Sequence, residues 1–311
     1  MVDDRDRREL TIRAAWLYHD RRLTQQAVAD RLGLSRSTIS RMLADAESDG
    51  IVRTIITEPL PATAQLAEDV MERYALLGVT VGPSFEGDTP MQAAAAAMAR
   101  RIENIAASGS LTIAAGWGRT LSMAAREVRR LPTSGVSIVD AFGHATTAQT
   151  VSSVEVSSML AGKFGAQVMH MPSPAFAASQ EIVNNFLESA PVAAAMSRAR
   201  EADVALVSIG VTGPDSLLIS EGLLEPSTMD RIVDAGAVGE VLACYYDAQG
   251  KPITVPELHT VGLRYEDLRT IRRVVGVAGG AEKAATVRGA IAAGILKELA
   301  IDETLATALL G

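Results

Sequence analysis

Two short stretches carry residue types suited to gripping an anion. Gly116-Trp117-Gly118-Arg119-Thr120 follows an apolar run and leads into a helical pattern. Its two glycines let backbone N–H groups crowd around an anion, Thr120 offers a hydroxyl, Arg119 a full charge, and the helix start a partial positive charge. The plainer alternative is a tight strand-to-helix turn that holds nothing. Ala278-Gly279-Gly280-Ala281-Glu282-Lys283 repeats the theme. A lysine in the first turn of a helix opposes the helix dipole at a cost of about 0.3–1 kcal/mol, which an anionic ligand would remove. Pairing of Lys283 with a surface acid is the alternative. Two further strand ends, Ser208-Ile209-Gly210 and Tyr245-Tyr246-Asp247, would line the same edge. There Asp247 is suited either to accepting hydrogen bonds from sugar hydroxyls or to opening a turn with Gly250. The Asp140-Ala141-Phe142-Gly143-His144 turn is another candidate wall, His144 itself reading as structural or solvent-facing.

A third stretch, Leu23–Arg53, is suited to reading DNA. Counted from Gln25, the small Ala29 falls where two helices must approach closely. Gly33 falls where the turn needs a left-handed backbone. Val28, Leu32, Leu34, Ile39 and Met42 supply a three-helix core. Arg36, Ser37, Thr38, Ser40 and Arg41 stay on the exposed side of the second helix of the motif, flanked by Gln25 and Ser35. Arg41 has an alternative partner in Asp45, one turn on.

Composition bounds the rest. A chain of 311 residues favours two domains, and 48% hydrophobic with 21% charged residues is ordinary for a globular protein. One cysteine, Cys244, excludes an internal disulfide framework and a Cys-rich metal site and fits a reducing cytosol. The charged start MVDDRDRREL lacks an apolar signal region, and no run of 18 apolar residues follows, so a soluble cytoplasmic protein with no membrane partner is expected. The four histidines are scattered, and no metal-protease, Walker or nucleophile-elbow pattern occurs, so no metal or cofactor is expected. The net charge of −8 is unevenly spread: residues 1–60 hold ten Arg and ten Asp or Glu, leaving the excess acid to the remainder. Screening confines each charge to about 8–10 Å, so local clusters decide DNA contact.

The elements that must position these residues follow from periodicity. Residues 5–19 predict a helix with Leu10, Ala14, Leu17 and Tyr18 on one face. Thr24 and Ser35 are suited to N-cap helices over 25–32 and 36–48, and Asp49-Gly50 ends the last. Ile51–Thr57 reads as a short wing strand, and Glu58-Pro59-Leu60-Pro61 stops regular structure, placing domains at 1–58 and 59–311. A helix over 62–76 comes next. Strands are then expected at 79–81, 111–115, 136–140, 167–171, 204–209, 241–246 and 274–278. Helices are expected between them at 92–107, 121–131, 153–164, 180–199 and 229–235, with a last one over 281–298. Short apolar strands alternating with helices argue for an α/β, mostly parallel, Rossmann-like sheet covered on both faces, with ligands at the carboxyl ends of its strands.

With these stretches in order, the chain resembles the SorC family of bacterial sugar-sensing transcriptional regulators almost end to end. The resemblance rests on LTQQAVADRLGLSRSTISRML, GWGRTL, ADVALVSIG, GAVGEVLACYYDAQG, VVGVAGGAEKAATVRGAI and IDETLATALL. It implies a winged helix-turn-helix followed by a sugar-phosphate isomerase-type domain. It also implies homodimers or homotetramers on a double-stranded DNA operator, and a sugar, polyol or sugar phosphate effector. By position, the family's ligand residues fall at Gly116–Thr120, Asp247, Gly279, Gly280 and Lys283. The chain departs from the family at Gly143-His144, Ser208, Tyr245 and Tyr246, which leaves the identity of the effector open. Two other readings weigh against this one. A sugar-phosphate isomerase would use Asp247 with Lys283, but no acid–base pair stands out. A non-specific DNA binder is disfavoured by the neutral first 60 residues.

Overall fold

The computed structural model describes residues 4–52, 61–145 and 152–311. The chain divides into two compact units, Met1–Pro59 and Leu60–Gly311.

The first unit is a small helical core. Helix α1 (Asp4–Ala15) runs into one wider helical turn, Trp16–Asp20. Helix α2 (Gln25–Leu32) and helix α3 (Arg36–Ser48) follow, with the spans their caps and apolar spacing predict. The Thr24 hydroxyl accepts the Ala27 N–H at 3.2 Å, and the Ser35 hydroxyl accepts the Thr38 N–H at 3.1 Å. Gly33 sits at φ +65°, the left-handed turn that glycine adopts without strain. Val28, Ala29 and Ile39 are fully buried and form the core with Leu17, Met42 and Leu43. Ile51 and Val52 pack against that core; the rest of the expected wing, and the Glu58–Pro61 boundary up to residue 60, lie outside the described residues.

The second unit starts with helix α4 (Ala62–Tyr74), strand β1 (Gly78–Gly82) and helix α5 (Pro90–Ala107). Strand β2 (Leu111–Ala115), helix α6 (Arg119–Glu127) and strand β3 (Val136–Asp140) come next. Helix α7 (Ser153–Phe164) leads to strand β4 (Gln167–Met169), strand β5 (Phe176–Ala177), helix α8 (Gln180–Glu188) and helix α9 (Ala190–Arg200). Strand β6 (Val204–Ser208) is followed by helices α10 (Leu217–Ser220) and α11 (Pro226–Asp234). Strands β7 (Ala237–Val241), β8 (Cys244–Asp247), β9 (Pro252–Ile253) and β10 (His259–Thr260) then precede helix α12 (Tyr265–Thr270). Strand β11 (Arg273–Ala278), helix α13 (Ala284–Ala292), strand β12 (Glu298–Asp302) and helix α14 (Glu303–Leu310) complete the chain.

Seven strands form one parallel sheet in the order β1-β12-β11-β6-β2-β3-β4. From β2 the chain winds outward through β3 and β4, then returns to the other side of β2 at β6. That reversal opens a crevice at the carboxyl ends of β2 and β6, where open α/β sheets take their ligands. The inner strands β2, β6, β11 and β12 are buried on both faces, as their largely apolar runs require, while the edge strand β4 is not. Six alanines help α5 pack closely, and Gly82 leaves room for the Ala93 carbonyl, which a Cβ would approach to 2.0 Å.

Four sequence expectations are corrected. The expected strand over 241–246 is a two-stranded antiparallel hairpin, β7–β8, because Leu242 and Ala243 both turn left-handed at φ +52° and +60°. The expected helix over 281–298 stops at Ala292, and Glu298 instead begins β12, inserted between β1 and β11. Glu298 disguises that strand: it is 1% exposed, and its carboxylate is held by Arg273 at 2.6 Å and Arg101 at 2.8 Å. The helix over 180–199 is broken at Ser189, whose backbone is extended; Pro191 has no N–H to continue the helix and sits instead in the first turn of α9. Finally, β4 stops at Met169, because the Met171 N–H turns aside to the buried Asp140 carboxylate at 3.0 Å.

Candidate functional site

A cavity of about 700 Å³ lies at the carboxyl ends of β2 and β6. It is lined by six of the residues singled out in the sequence: Trp117, Gly118, Arg119, Thr120, Gly210 and Lys283. Gly118 is the N-cap of α6 at φ +127°, and no side chain caps that helix. The orphan N–H groups of its first turn therefore remain available to an anion in the cavity. A Cβ on Gly118 would come within 2.5 Å of the Ser208 hydroxyl, so glycine is required for the turn to pass β6. That hydroxyl is buried without a hydrogen-bond partner among the described residues and belongs to a residue that borders the same cavity.

Charged residues of both signs border the cavity. Lys283 enters from the short turn before α13; burial pulls its pKa below the ordinary lysine value, opposed by Glu282 and Glu240. Among the described residues its ammonium reaches only the Ile209 carbonyl, at a long 3.4 Å. Arg119 is half exposed and donates to the Ser220 hydroxyl at 2.8 Å, with the Glu221 carboxylate at 3.5 Å, so its guanidinium is tied to α10.

The same cavity is bordered by a residue that spacing in the sequence does not mark. Glu240 on β7 is 8% exposed, and burial pushes its carboxyl up to about 7 against the pull of the Ala243 N–H and Lys283. One oxygen accepts the Ala243 N–H at 2.7 Å, bracing the left-handed Leu242-Ala243 turn. The other lies against Gly210, where a Cβ would approach it to 1.8 Å. Both glycine and acid are thus needed at that corner. The sequence signal was faint: a single acid inside the apolar strand Ala237–Val241. Asp215, Thr212 and Thr286 also border the cavity, though Thr286 and Thr212 donate to the Val238 and Ala237 carbonyls at 2.6 and 3.1 Å.

Five candidates lie off the cavity lining for identifiable reasons. Asp247 accepts the Gln249 and Lys251 N–H groups at 2.9 and 2.8 Å and so closes the β8–β9 turn. Gly116 lets the turn after β2 hydrogen-bond the Leu206 carbonyl at 2.8 Å. Gly143 faces the Pro174 carbonyl, and Gly279 faces the Pro90 carbonyl, each closer than a Cβ would allow. Gly280, at φ +103°, donates its N–H to the buried Asp302 at 2.9 Å. His144 forms a bridge with Pro174, and the ring of Trp117 stacks on Phe142 at 5.8 Å. Tyr246 and Tyr245 are buried, and neither hydroxyl has a hydrogen-bond partner among the described residues.

In the first unit, Arg36, Ser37, Ser40 and Arg41 are exposed on α3, with Thr38 partly so. The Ser35 hydroxyl bonds those of Ser37 at 2.9 Å and Thr38 at 2.8 Å, so three of the candidates form a local network. Asp45 pairs with Arg7 at 3.6 Å, and Arg41 remains without a partner among the described residues.

Residues 58–311 match the family model described as a putative sugar-binding domain, and residues 17–53 match a winged helix-turn-helix DNA-binding model. The chain is 30% identical over 308 residues to the erythritol catabolism regulatory protein EryD of Brucella abortus, covering 97% of this chain and 96% of that one. The chain belongs to the SorC family of sugar-sensing transcriptional regulators. The deoxyribonucleoside regulator of Bacillus subtilis is 25% identical over 312 residues, 98% of each chain. The full-length sorbitol operon regulator SorC of Klebsiella pneumoniae has the same fold, with a TM-score of 0.73 and 23% identity over 98% of this chain and 100% of that one. In this member of the SorC family the cavity is bordered by Glu240, Lys283 and the start of α6.

Proposed function

We propose that the cavity at the β2–β6 crevice binds a sugar, polyol or sugar phosphate, and that occupancy controls operator binding by α3 on behalf of a carbohydrate or polyol catabolic operon. The observation that carries this reading is that a buried carboxyl, Glu240, and a weakly engaged buried ammonium, Lys283, border one cavity. A polyol hydroxyl donates to or accepts from Glu240 according to its protonation state, while Lys283 and the uncapped start of α6 favour a phosphate or an electron-rich oxygen. The names of the relatives from Brucella abortus and Bacillus subtilis, erythritol catabolism and deoxyribonucleoside regulation, support small polyhydroxylated effectors.

In this reading the protein is a cytoplasmic homodimer or homotetramer and not an enzyme. Two copies of α3 enter successive major grooves of a near-palindromic site, with Gln25, Ser35, Arg36, Ser37, Thr38, Ser40 and Arg41 facing DNA. The effector shifts DNA affinity only through unequal affinity for the two arrangements of the assembly. The test is a thermal-shift screen of the full chain against tetritols, pentoses, pentitols and their phosphates, followed by DNA titration with each hit. A hit raises Tm in proportion to its occupancy and changes DNA affinity. Ligands that bind with no effect on DNA affinity, or hits insensitive to Glu240→Gln and Lys283→Met, would overturn the reading.

A further inference from the structure

Strand β6 changes character at its last residue, where it meets the cavity. On one of its faces Val204 and Leu206 belong to the apolar cluster that includes Leu121 and Ala124 of α6. The next side chain in that row is not apolar but the serine Ser208. Strand β2 pairs with β6 as far as Ala115 opposite Leu206, and the Gly116 N–H then closes on the Leu206 carbonyl at 2.8 Å. Beyond that point β6 continues to Ser208, which stands opposite Val277 of β11. Ser208 is therefore set where β2 and β6 part and the crevice opens.

The orphan hydroxyl of Ser208 differs from the other hydroxyls of the unit. Those of Ser122, Thr133, Ser173, Tyr245 and Tyr246 are also buried without a partner among the described residues, but none of these five residues borders the cavity. Thr212 and Thr286 do border it, yet each already donates to a backbone carbonyl, of Ala237 and Val238 respectively. Gly118 approaches Ser208 so closely that a Cβ there would meet its Oγ at 2.5 Å and its Cβ at 2.6 Å, which restricts how the serine side chain can turn. A buried hydroxyl with no partner carries a desolvation cost that an apolar side chain in the same row would avoid. A ligand oxygen in the cavity removes that cost.

We propose that Ser208 is a specificity-determining residue of the cavity, its hydroxyl bonding one particular hydroxyl of a polyhydroxylated effector and selecting against ligands that lack an oxygen there. This rests on the effector-binding reading of the cavity and adds to it a residue that reads the ligand's hydroxyl pattern rather than its charge. A serine both donates and accepts, as a ligand hydroxyl does, whereas the ammonium of Lys283 only donates. An analogue missing the matching oxygen leaves the serine hydroxyl unpaired, and a site built to bond a hydroxyl discriminates strongly on that ground.

The experiment is a calorimetric titration of the full chain, wild type and Ser208→Ala, with erythritol, ribitol and D-ribose 5-phosphate, each alongside the set of its monodeoxy forms. For a parent compound that the wild type binds, Ser208→Ala should weaken binding about 3- to 10-fold. For one of its monodeoxy forms the two proteins should bind equally, because the oxygen that the serine would meet is gone; a merely structural role predicts the same fractional loss for every form. The ligand-free Tm of Ser208→Ala should stay level or rise, since the hydroxyl bonds nothing in the fold. Equal affinity of both proteins for the parent, a uniform loss across all monodeoxy forms, or a lowered ligand-free Tm would each overturn the proposal. Failure of the wild-type chain to bind any of the three parent compounds would instead overturn the effector-binding reading beneath it.

Discussion

Glu240→Gln isolates the one strongly perturbed carboxyl that faces the cavity. Burial raises the Glu240 carboxyl from 4.5 to about 7. Below pH 4.5 the group is protonated in both folded and unfolded chains and costs nothing. As pH rises from 4.5 to 7 the unfolded chain releases the proton and the folded one holds it, so stability falls, and the loss levels off above 7. Between pH 5 and pH 8 the integrated loss is about 2.5 kcal/mol, taking 1.36 kcal/mol for each pKa unit. Gln keeps an oxygen for the Ala243 N–H and carries no titrating proton. Every other titrating group is common to both proteins and cancels in their difference. The measured quantity is therefore the stability of Glu240→Gln minus that of the wild type, by urea or thermal unfolding of the α/β unit without ligand. That difference should grow by about 2.5 kcal/mol from pH 5 to pH 8, or roughly 5–10 °C in Tm for a unit of this size. A difference that stays flat across that range would mean the carboxylate is already ionised in the fold, and the account of the cavity as a protonated acid facing a lysine would fail.

Other substitutions probe the remaining parts of the site. Lys283→Met should abolish the response to a phosphorylated effector, weakening its binding by about 2–5 kcal/mol while leaving ligand-free DNA affinity intact; calorimetry and anisotropy separate the two. Ala243→Gly should stabilise the fold by about 0.5–1 kcal/mol, the relieved left-handed strain exceeding the added chain entropy, and a fall in Tm would contradict the strained turn. Asp247→Ala should cost about 1 kcal/mol through two lost turn hydrogen bonds yet leave effector binding unchanged, and an altered effector affinity would return Asp247 to the site. Arg36→Ala should weaken operator binding by about 1–3 kcal/mol if the side chain reads guanine, with unchanged affinity removing it from the interface.

What was legible in the sequence is what depends on local spacing. The helices at 25–32 and 36–48, the caps Thr24 and Ser35, and the left-handed Gly33 all follow from neighbours within a few residues. The strands at 111–115 and 136–140 were equally plain, because parallel strands buried on both faces read as unbroken apolar runs. Strand β12 was not, because Glu298 at its head reads as a solvent-facing residue. Only Arg101 and Arg273, each at least 25 positions away, make its burial tolerable.

The same logic separates Asp247 from Glu240. Both are acids near one hairpin, and spacing alone made Asp247 the better ligand candidate because it stands at a strand end. Yet the two N–H groups that claim Asp247, from Gln249 and Lys251, come from its own turn. The carboxyl of Glu240 braces a turn of two left-handed residues that are not glycine, a conformation no propensity favours. A Leu-Ala pair at that turn gives no sign of a hairpin, so the sequence reads as one buried strand over 241–246, with Glu240 just outside it and without a direction. Once the chain reverses at Leu242, the carboxyl is brought to the glycine corner at Gly210, onto the cavity that Lys283 also borders. The residue that best defines the chemistry of the cavity was therefore hidden by the same strained turn that puts it there.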